Sequence, residues 1–276
     1  MSAVPVAAVH ATRDPQGHYG FANLARMEWV KLRSLRSTGW MLGMAAAAVI
    51  GISILVMAVD SAHYAHLSAA GRASWDPTNA GLSGLAFAQL LIGALGVLTI
   101  TGEYSSGMIR ATFAAAPRRP LVLAAKIAVL GAVTLAAAEL LAFTAFLAGQ
   151  AAVAHGVPHA TLGQPGVLRA VLMAGVYLCL IALIGLGAGA IIRHTVGGIA
   201  AVVGLIFALP LLFVPLPESV QHAAVKFLPE AIAANSMVAV RPEPYSLSPW
   251  TGLGMLCLYA AVLLGAGAMV LAKRDA

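Results

Sequence analysis

Side chains able to do chemistry are rare in the apolar stretches of this sequence, and the only acid there is Glu139. A charge near the centre of a bilayer costs roughly 2.5 to 3.5 kcal/mol, so such a carboxyl must face protein or a cavity, or be protonated. Two interpretations stay open. Glu139 is a contact in a substrate path or in helix packing, or it is a neutral carboxyl hydrogen-bonded to a neighbouring helix.

Two histidine pairs, His63 with His66 and His155 with His159, are spaced for one face of a helix. No carboxylate or thiolate completes a tetrahedral set beside either pair, so we predict no metal site.

The sequence has no Gly-x-Ser-x-Gly elbow and no Gly-x-x-x-x-Gly-Lys-Ser/Thr motif. We therefore expect no catalytic residue, no enzyme activity and no P-loop in this chain.

Composition identifies the environment of the chain. Of its residues 61% are hydrophobic and 9% are charged, and the mean hydropathy is +0.90, whereas a typical soluble domain is about 25% charged. The formal charge of +6 lies beside apolar runs and not on a soluble basic face, so we expect a lipid bilayer and no nucleic acid as a partner.

A helix needs about 20 residues to cross a bilayer, and six stretches have that length. The predicted fold is an all-α membrane protein with a flexible tail at 1–20, an interfacial helix at 21–38 and a six-span domain at 39–276. The predicted spans are about 40–59, 82–101, 127–154, 167–192, 195–216 and 251–272.

The segment 21–38 has a helical pattern in which Phe21, Leu24, Ala25, Leu32 and Leu35 share one side, interrupted by Glu28. It is basic and carries a tryptophan, so it either lies along the cytoplasmic headgroup layer or only orients the first span. The residues assigned to this interfacial helix are Arg26, Glu28, Trp29, Lys31 and Arg33.

Basic residues fix the orientation. With six spans and the amino terminus inside, twelve of the sixteen Lys and Arg are cytoplasmic: Arg13, Arg26, Lys31, Arg33, Arg36, Arg110, Arg118, Arg119, Lys126, Arg193, Lys273 and Arg274. This bias predicts a multi-pass protein of the cell membrane with both termini in the cytoplasm.

Two connectors stand out. The loop 103–126 carries Arg110, Arg118, Arg119 and Lys126 against a single acid, Glu103, so it either touches a partner or only sets topology. The external connector 217–249 alternates apolar and polar residues over 218–240 and is broken at a proline. It predicts two short helices dipping back toward the membrane, or a surface loop with modest helicity.

In order and topology the chain resembles the permease subunit of ATP-binding-cassette exporters of the type-2 family. The matching motifs are Arg26-Met-Glu28-Trp-Val-Lys31-Leu-Arg33-Ser, Glu103-x-x-x-Gly107-x-Ile109-Arg110 with Pro117-x-Arg119 and Lys126, and Lys273-Arg274-Asp275-Ala276. The resemblance covers nearly all of the chain after residue 20. Gly107-Met108 departs from the Gly-Thr that is frequent in the family.

The resemblance implies that 21–38 is an elbow helix and that the loop between spans two and three contacts a separate P-loop ATPase subunit, which holds the ATP and Mg. The implied coupling residues are Glu103, Tyr104, Ser105, Ser106, Gly107, Met108, Ile109, Arg110, Ala111 and Thr112, followed by Pro117, Arg118 and Arg119 at the turn into span three. It also implies a second permease chain, identical or paralogous, with substrate crossing between the two.

Two other functions remain open from the sequence. The chain is a membrane scaffold or regulator whose basic loops serve topology only, or it is a gradient-driven carrier. The near absence of ionisable residues in the spans disfavours a carrier, because proton and ion relays need paired ionisable groups at the same depth.

Overall fold

The computed structural model describes residues 20–116, 118–239 and 246–273. The tail before Gly20, together with Pro117, Arg274, Asp275 and Ala276, lies outside the described residues. The described residues are 83% helical, and they contain no β-strand. The prediction of an all-α membrane protein is confirmed.

Thirteen α-helices are present in the described residues. They are α1 (Phe21–Ser34), α2 (Arg36–His63), α3 (Ala69–Ala73), α4 (Pro77–Leu82), α5 (Leu85–Ser105), α6 (Met108–Ala115), α7 (Arg119–Ala151), α8 (Val167–Ile192), α9 (Thr195–Val203), α10 (Leu209–Phe213), α11 (Glu218–Ala224), α12 (Pro229–Ser236) and α13 (Pro249–Lys273). Short 3₁₀ turns follow α2 and α11.

Six helical segments of the described chain are long and apolar enough to cross a membrane, as the sequence predicts. They are Arg36–His66, Pro77–Ser105, Arg119–Ala151, Val167–Ile192, Thr195–Phe213 and Pro249–Lys273. The third begins earlier than the predicted 127. Pro120 lies in its first turn, where a missing N–H costs no helical hydrogen bond, so the basic connector joins the helix.

Helix α8 lies at the centre of the bundle and packs against α5, α7 and α13. Of its apolar window 72% is buried, against 17% for Thr195–Phe213. Glycine permits the close approach of α5 and α8, since a Cβ atom at Gly185 would lie 2.3 Å from the carbonyl oxygen of Gly93.

The fifth span is not a regular α-helix. A π-helical turn, Gly204–Ala208, separates α9 from α10. Pro210 in the first turn of α10 explains the irregularity, because proline has no N–H to donate and its ring clashes with the carbonyl four residues earlier.

The connector that the sequence analysis predicted to be external contains two short helices, α11 and α12, with Pro229 as the first residue of α12. Only α12 buries side chains, packing against α8 and α13. Two side chains bind the backbone of the segment after α12. Ala239 N donates to Asp76 Oδ2 at 2.8 Å, and Arg169 Nη2 donates to Val238 O at 2.9 Å.

Helix α1 packs against α7 through a stripe of Leu24, Glu28 and Leu32. Of the residues predicted to share the apolar side, Leu24 and Leu32 are buried, whereas Phe21 and Leu35 are 46% and 49% exposed. Glu28 does not interrupt the packed face but lies at its centre.

Candidate functional site

Four charged side chains from three helices meet at the end of the bundle that carries α1 and α6, which we call the α1 end. Glu28 and Lys31 belong to α1, Glu103 to α5 and Lys126 to α7. Glu28 Oε2 lies 2.6 Å from Lys126 Nζ, Glu28 Oε1 lies 3.1 Å from Lys31 Nζ, and Lys31 Nζ lies 2.9 Å from Glu103 Oε1. Lys126 Nζ also donates to Glu103 Oε1, which closes an ion ring.

The ion ring is buried. Glu28, Lys126 and Glu103 are 1%, 2% and 4% exposed. Removing such charges from water is unfavourable unless they are paired, and the ring meets that condition with two ammonium and two carboxylate groups. Lys126 Nζ further donates to Thr99 O at 3.4 Å. Glu103 Oε2 is buried without a hydrogen-bond partner.

Lys31 connects the ion ring to α6, because its Nζ also donates to Thr112 Oγ1 at 3.3 Å. Burial alone would lower the pKa of Lys31. The hydrogen bonds and negative charges of Glu103 and Glu28 outweigh burial and raise its pKa above the usual 10.5. Lys31 is therefore positively charged at neutral pH and holds α6 on the bundle.

Helix α6 begins after a left-handed turn at Gly107, where φ is 71°, a conformation that favours glycine. Ile109 and Thr112 face the bundle, whereas Met108 and Arg110 are exposed. The predicted coupling segment 103–112 is thus divided. Glu103, Tyr104 and Ser105 form the last turn of α5, Ser106 and Gly107 form the turn, and α6 continues past Thr112 to Ala115.

Two arginines attach this region to the end of α13. Arg119 Nη1 donates to Leu271 O at 3.1 Å, and Arg193 Nη2 donates to Val270 O at 3.1 Å. These carbonyls belong to the last turn of α13, which favours cations. The Arg119 guanidinium carbon lies 5.3 Å from the centre of the Phe113 ring in α6, and that of Arg193 lies 5.3 Å from the centre of the Tyr104 ring in α5.

The other predicted site residues at this end do not join the ion ring. The side chains of Arg26, Trp29 and Arg33 in α1 are exposed, as are Arg110 and Arg118. The predicted charged residues in the described part of the chain therefore divide into the ring members Glu28, Lys31 and Glu103, Arg119 at the end of α13, and four exposed arginines on the outer surface.

Glu139 lies in α7, further along the same helix than Lys126 of the ring. Its carboxyl packs against Gly175 of α8, where an added Cβ would lie 2.4 Å from Glu139 Cδ. The buried Oε2 has no hydrogen-bond partner in the described structure. These contacts support helix packing, and they do not contain the hydrogen bond to a neighbouring helix that the second interpretation required.

The part of the chain that the structure describes contains no group of three or more His, Cys, Asp or Glu side chains able to hold a metal ion. Of the histidine pairs, His63 contacts the backbone of its own helix in the last turn of α2, where its Nδ1 lies 2.7 Å from Val59 O. This contact does not indicate a metal ligand.

Sequence reasoning missed the pairing of Glu28 with Lys126, which are 98 residues apart, and the roles of Thr112 and Arg193. The sequence held only part of the signal. Glu28 on the apolar side of one helix and Lys126 beside the apolar run of another each indicate a charged residue that needs a partner when buried, but neither position identifies that partner.

Neither the protein-family models nor the curated proteins with which the chain was compared match it.

Proposed function

We propose that this chain is the permease subunit of an ATP-binding-cassette exporter, the family it resembles. It moves substrate across the membrane with energy from ATP hydrolysis on a separate P-loop ATPase subunit. The observation that carries the proposal is the attachment of α6. Lys31 joins Thr112 of α6 to the buried ion ring, while Met108 and Arg110 of the same helix are exposed.

This arrangement suits the transmission of a movement. A partner that binds the exposed side of α6 displaces the ring, and the ring connects α6 with α1, α5 and α7. Arg119, which contacts both Phe113 of α6 and the end of α13, provides a second connection. Closure of two ATPase subunits then pulls on α6 of each permease and changes access to the path between them.

The same proposal includes a location and an orientation. The α1 end faces the cytoplasm, both termini lie there and the protein belongs to the cell membrane. The positive-inside bias supports this side, although Lys31 and Lys126 are neutralised within the ring and act as structural partners rather than as topology signals.

A second permease chain, identical or paralogous, completes the transporter, and substrate crosses between the two. The support is the low burial of three spans: 22% of the apolar window of Arg36–His66, 17% of Thr195–Phe213 and 22% of Pro249–Lys273 lie inside this chain. ATP and Mg²⁺ stay on the ATPase, and no nucleic acid takes part.

The first test is affinity purification of the tagged chain from its native membrane in mild detergent, followed by mass spectrometry. We expect a stoichiometric P-loop ATPase that is lost from Arg110→Glu, because Arg110 lies on the exposed side of α6. Arg72→Glu is the matched control, an exposed arginine in α3. Absence of any ATPase contradicts the exporter and favours a scaffold, and retention by Arg110→Glu excludes α6 as the contact.

A second variant tests the turn. Gly107→Pro cannot adopt a φ of 71°, since proline is fixed near −65°. We expect it to insert and fold but to lose ATPase co-purification and ATP-dependent transport. Gly102→Ala in the helical part of α5, where an added Cβ meets nothing within 4 Å, should behave as the wild type. Normal transport by Gly107→Pro would remove the turn from the mechanism.

A further inference from the structure

A cavity of about 140 Å³ lies at the end of the bundle opposite the α1 end, between α4, α5, α8 and α12. Leu82, Leu85 and Met237 contribute to its apolar walls. At about 30 Å³ per water molecule the space corresponds to about five waters. Its size therefore suits a small polar group and not a drug-sized molecule.

The cavity has a buried polar wall. Gln89 of α5 and Tyr177 of α8 both line it and are each 2% exposed. The Tyr177 hydroxyl donates to Gln89 Oε1, which leaves the amide nitrogen of Gln89 and a lone pair of the Tyr177 oxygen for other partners. Ser83 also lines the cavity, and its buried Oγ has no hydrogen-bond partner. Buried polar groups are normally paired, so this hydroxyl is available to a molecule that occupies the cavity.

Among the described residues that line the cavity, the charged side chain is an acid. Glu230, in the first turn of α12, lines it and is exposed. Among the described residues around the cavity there is no lysine, arginine or histidine. A carboxylate and two hydroxyl oxygens accept hydrogen bonds, and the charge favours a cation.

We propose that this cavity binds a protonated primary amine, with its ammonium group toward Glu230 and its N–H groups toward Ser83 and Tyr177. The amide groups of Gln89 and Asn79 can donate to a neighbouring hydroxyl or phosphate oxygen of the same molecule. The amine is either free or the headgroup of a lipid. The site involves no residue of α6 or of the ion ring, so it stands or fails independently of the ATPase partner.

The test measures thermal unfolding of the purified full chain by tryptophan fluorescence while ethanolamine is titrated. Ethylene glycol is the matched neutral probe, since a hydroxyl replaces the ammonium group. We expect ethanolamine, and not ethylene glycol, to raise the midpoint temperature, because a ligand that binds only the folded state stabilises it. Phosphatidylethanolamine against phosphatidylcholine nanodiscs is the lipid arm: stabilisation there without an effect of free ethanolamine identifies the headgroup as the source.

Variants decide where the amine binds. Glu230→Gln should weaken the apparent affinity about tenfold, the scale of one charge-assisted hydrogen bond. Glu218→Gln is the control, because Glu218 is likewise exposed in the first turn of a short helix, α11. Tyr177→Phe should weaken binding about three- to tenfold. Equal responses of Glu230→Gln and Glu218→Gln, or no response to either amine source, would overturn the proposal.

Discussion

Carboxyl oxygens are buried in two regions of this protein, and their surroundings differ. At the α1 end, the buried side chains of Glu28 and Glu103 each contact both Lys31 and Lys126. In the membrane-spanning part of α7, the half-buried Glu139 packs against Gly175, and its buried Oε2 is unpaired. The carboxyl groups of the first region are paired with lysines, whereas the carboxyl of the second packs against an apolar helix.

The difference shows what a buried acid can contribute. In the ion ring, Glu28 and Glu103 connect α1, α5 and α7 through pairs with Lys31 and Lys126, and removal of any one group leaves its partners unbalanced. Around Glu139 the described contacts contain no cation, and a lone charge at that depth is unfavourable. We therefore expect Glu139 to be protonated and to act through its shape. Charge connects the helices of the ion ring, whereas the shape of Glu139 packs α7 against α8, and mutations can test each contribution.

The largest effect is expected for Lys126→Met, because it leaves Glu28 and Glu103 buried with only Lys31 to balance them. Breaking a buried ion pair costs about 3 to 5 kcal/mol, so we expect a large loss of folded protein by size-exclusion chromatography and a much lower unfolding temperature. Lys273→Met, at an exposed lysine at the end of α13, is the control. The double variant Lys126→Met with Glu28→Gln restores neutrality and should recover part of the loss; no recovery would mean that charge balance is not what the ring provides.

A smaller effect is expected for Gly175→Ala. The new methyl carbon would lie 2.4 Å from Glu139 Cδ, and overpacking of this kind typically costs about 1 to 3 kcal/mol. Unfolding temperature in detergent is the measurement. Gly131→Ala is the control, because an added Cβ there first meets Leu183 Cδ2 at 3.9 Å. The double variant Gly175→Ala with Glu139→Ala should be more stable than Gly175→Ala alone, and if it is not, the Glu139 side chain does not occupy the space at Gly175.

The pH dependence of the stabilisation by Lys31 tests whether the ion ring works through charge. The folded-state pKa of Lys31 is raised above 10.5, so its stabilising charge is fully present below pH 10.5 and is lost as the pH rises through the raised value. The difference in unfolding temperature between the wild type and Lys31→Gln should be constant up to about pH 10 and shrink above it. Lys273→Gln, at an exposed lysine outside the ring, is the control variant. A difference that stays constant through pH 12 would exclude Lys31 as a charged member of the ring.

The sequence was sufficient for the number and order of the spans, because each of the six runs is apolar over a length close to a bilayer thickness. It also predicted α11 and α12, since Pro229 both breaks the preceding turn and begins the next helix.

The helix boundary at Gly107 was not predicted. Only its positive φ reveals that the 103–112 segment belongs to two helices.

The pairings in the ion ring could not be predicted from periodicity. The lysine at 126 was counted as a topology signal and Glu28 as an interruption, because local pattern reports which face a residue occupies and not which distant residue it meets. Glu28 and Lys126 are joined only when α1 packs against α7. Glu139 was easier to notice, as the one acid in the spans, yet its packing against Gly175 depends on how α7 and α8 align.

The smallest effect is expected for Glu139→Gln, and it bears directly on the comparison. Glutamine has nearly the shape of a protonated glutamic acid, and the buried Oε2 has no partner to lose, so the unfolding free energy should change by less than about 1 kcal/mol. Glu103→Gln, by contrast, replaces the acceptor of both Lys31 and Lys126 and should lower the unfolding temperature clearly. If Glu139→Gln is as damaging as Glu103→Gln, then Glu139 is ionised, its charge is required, and both regions of this protein work by charge.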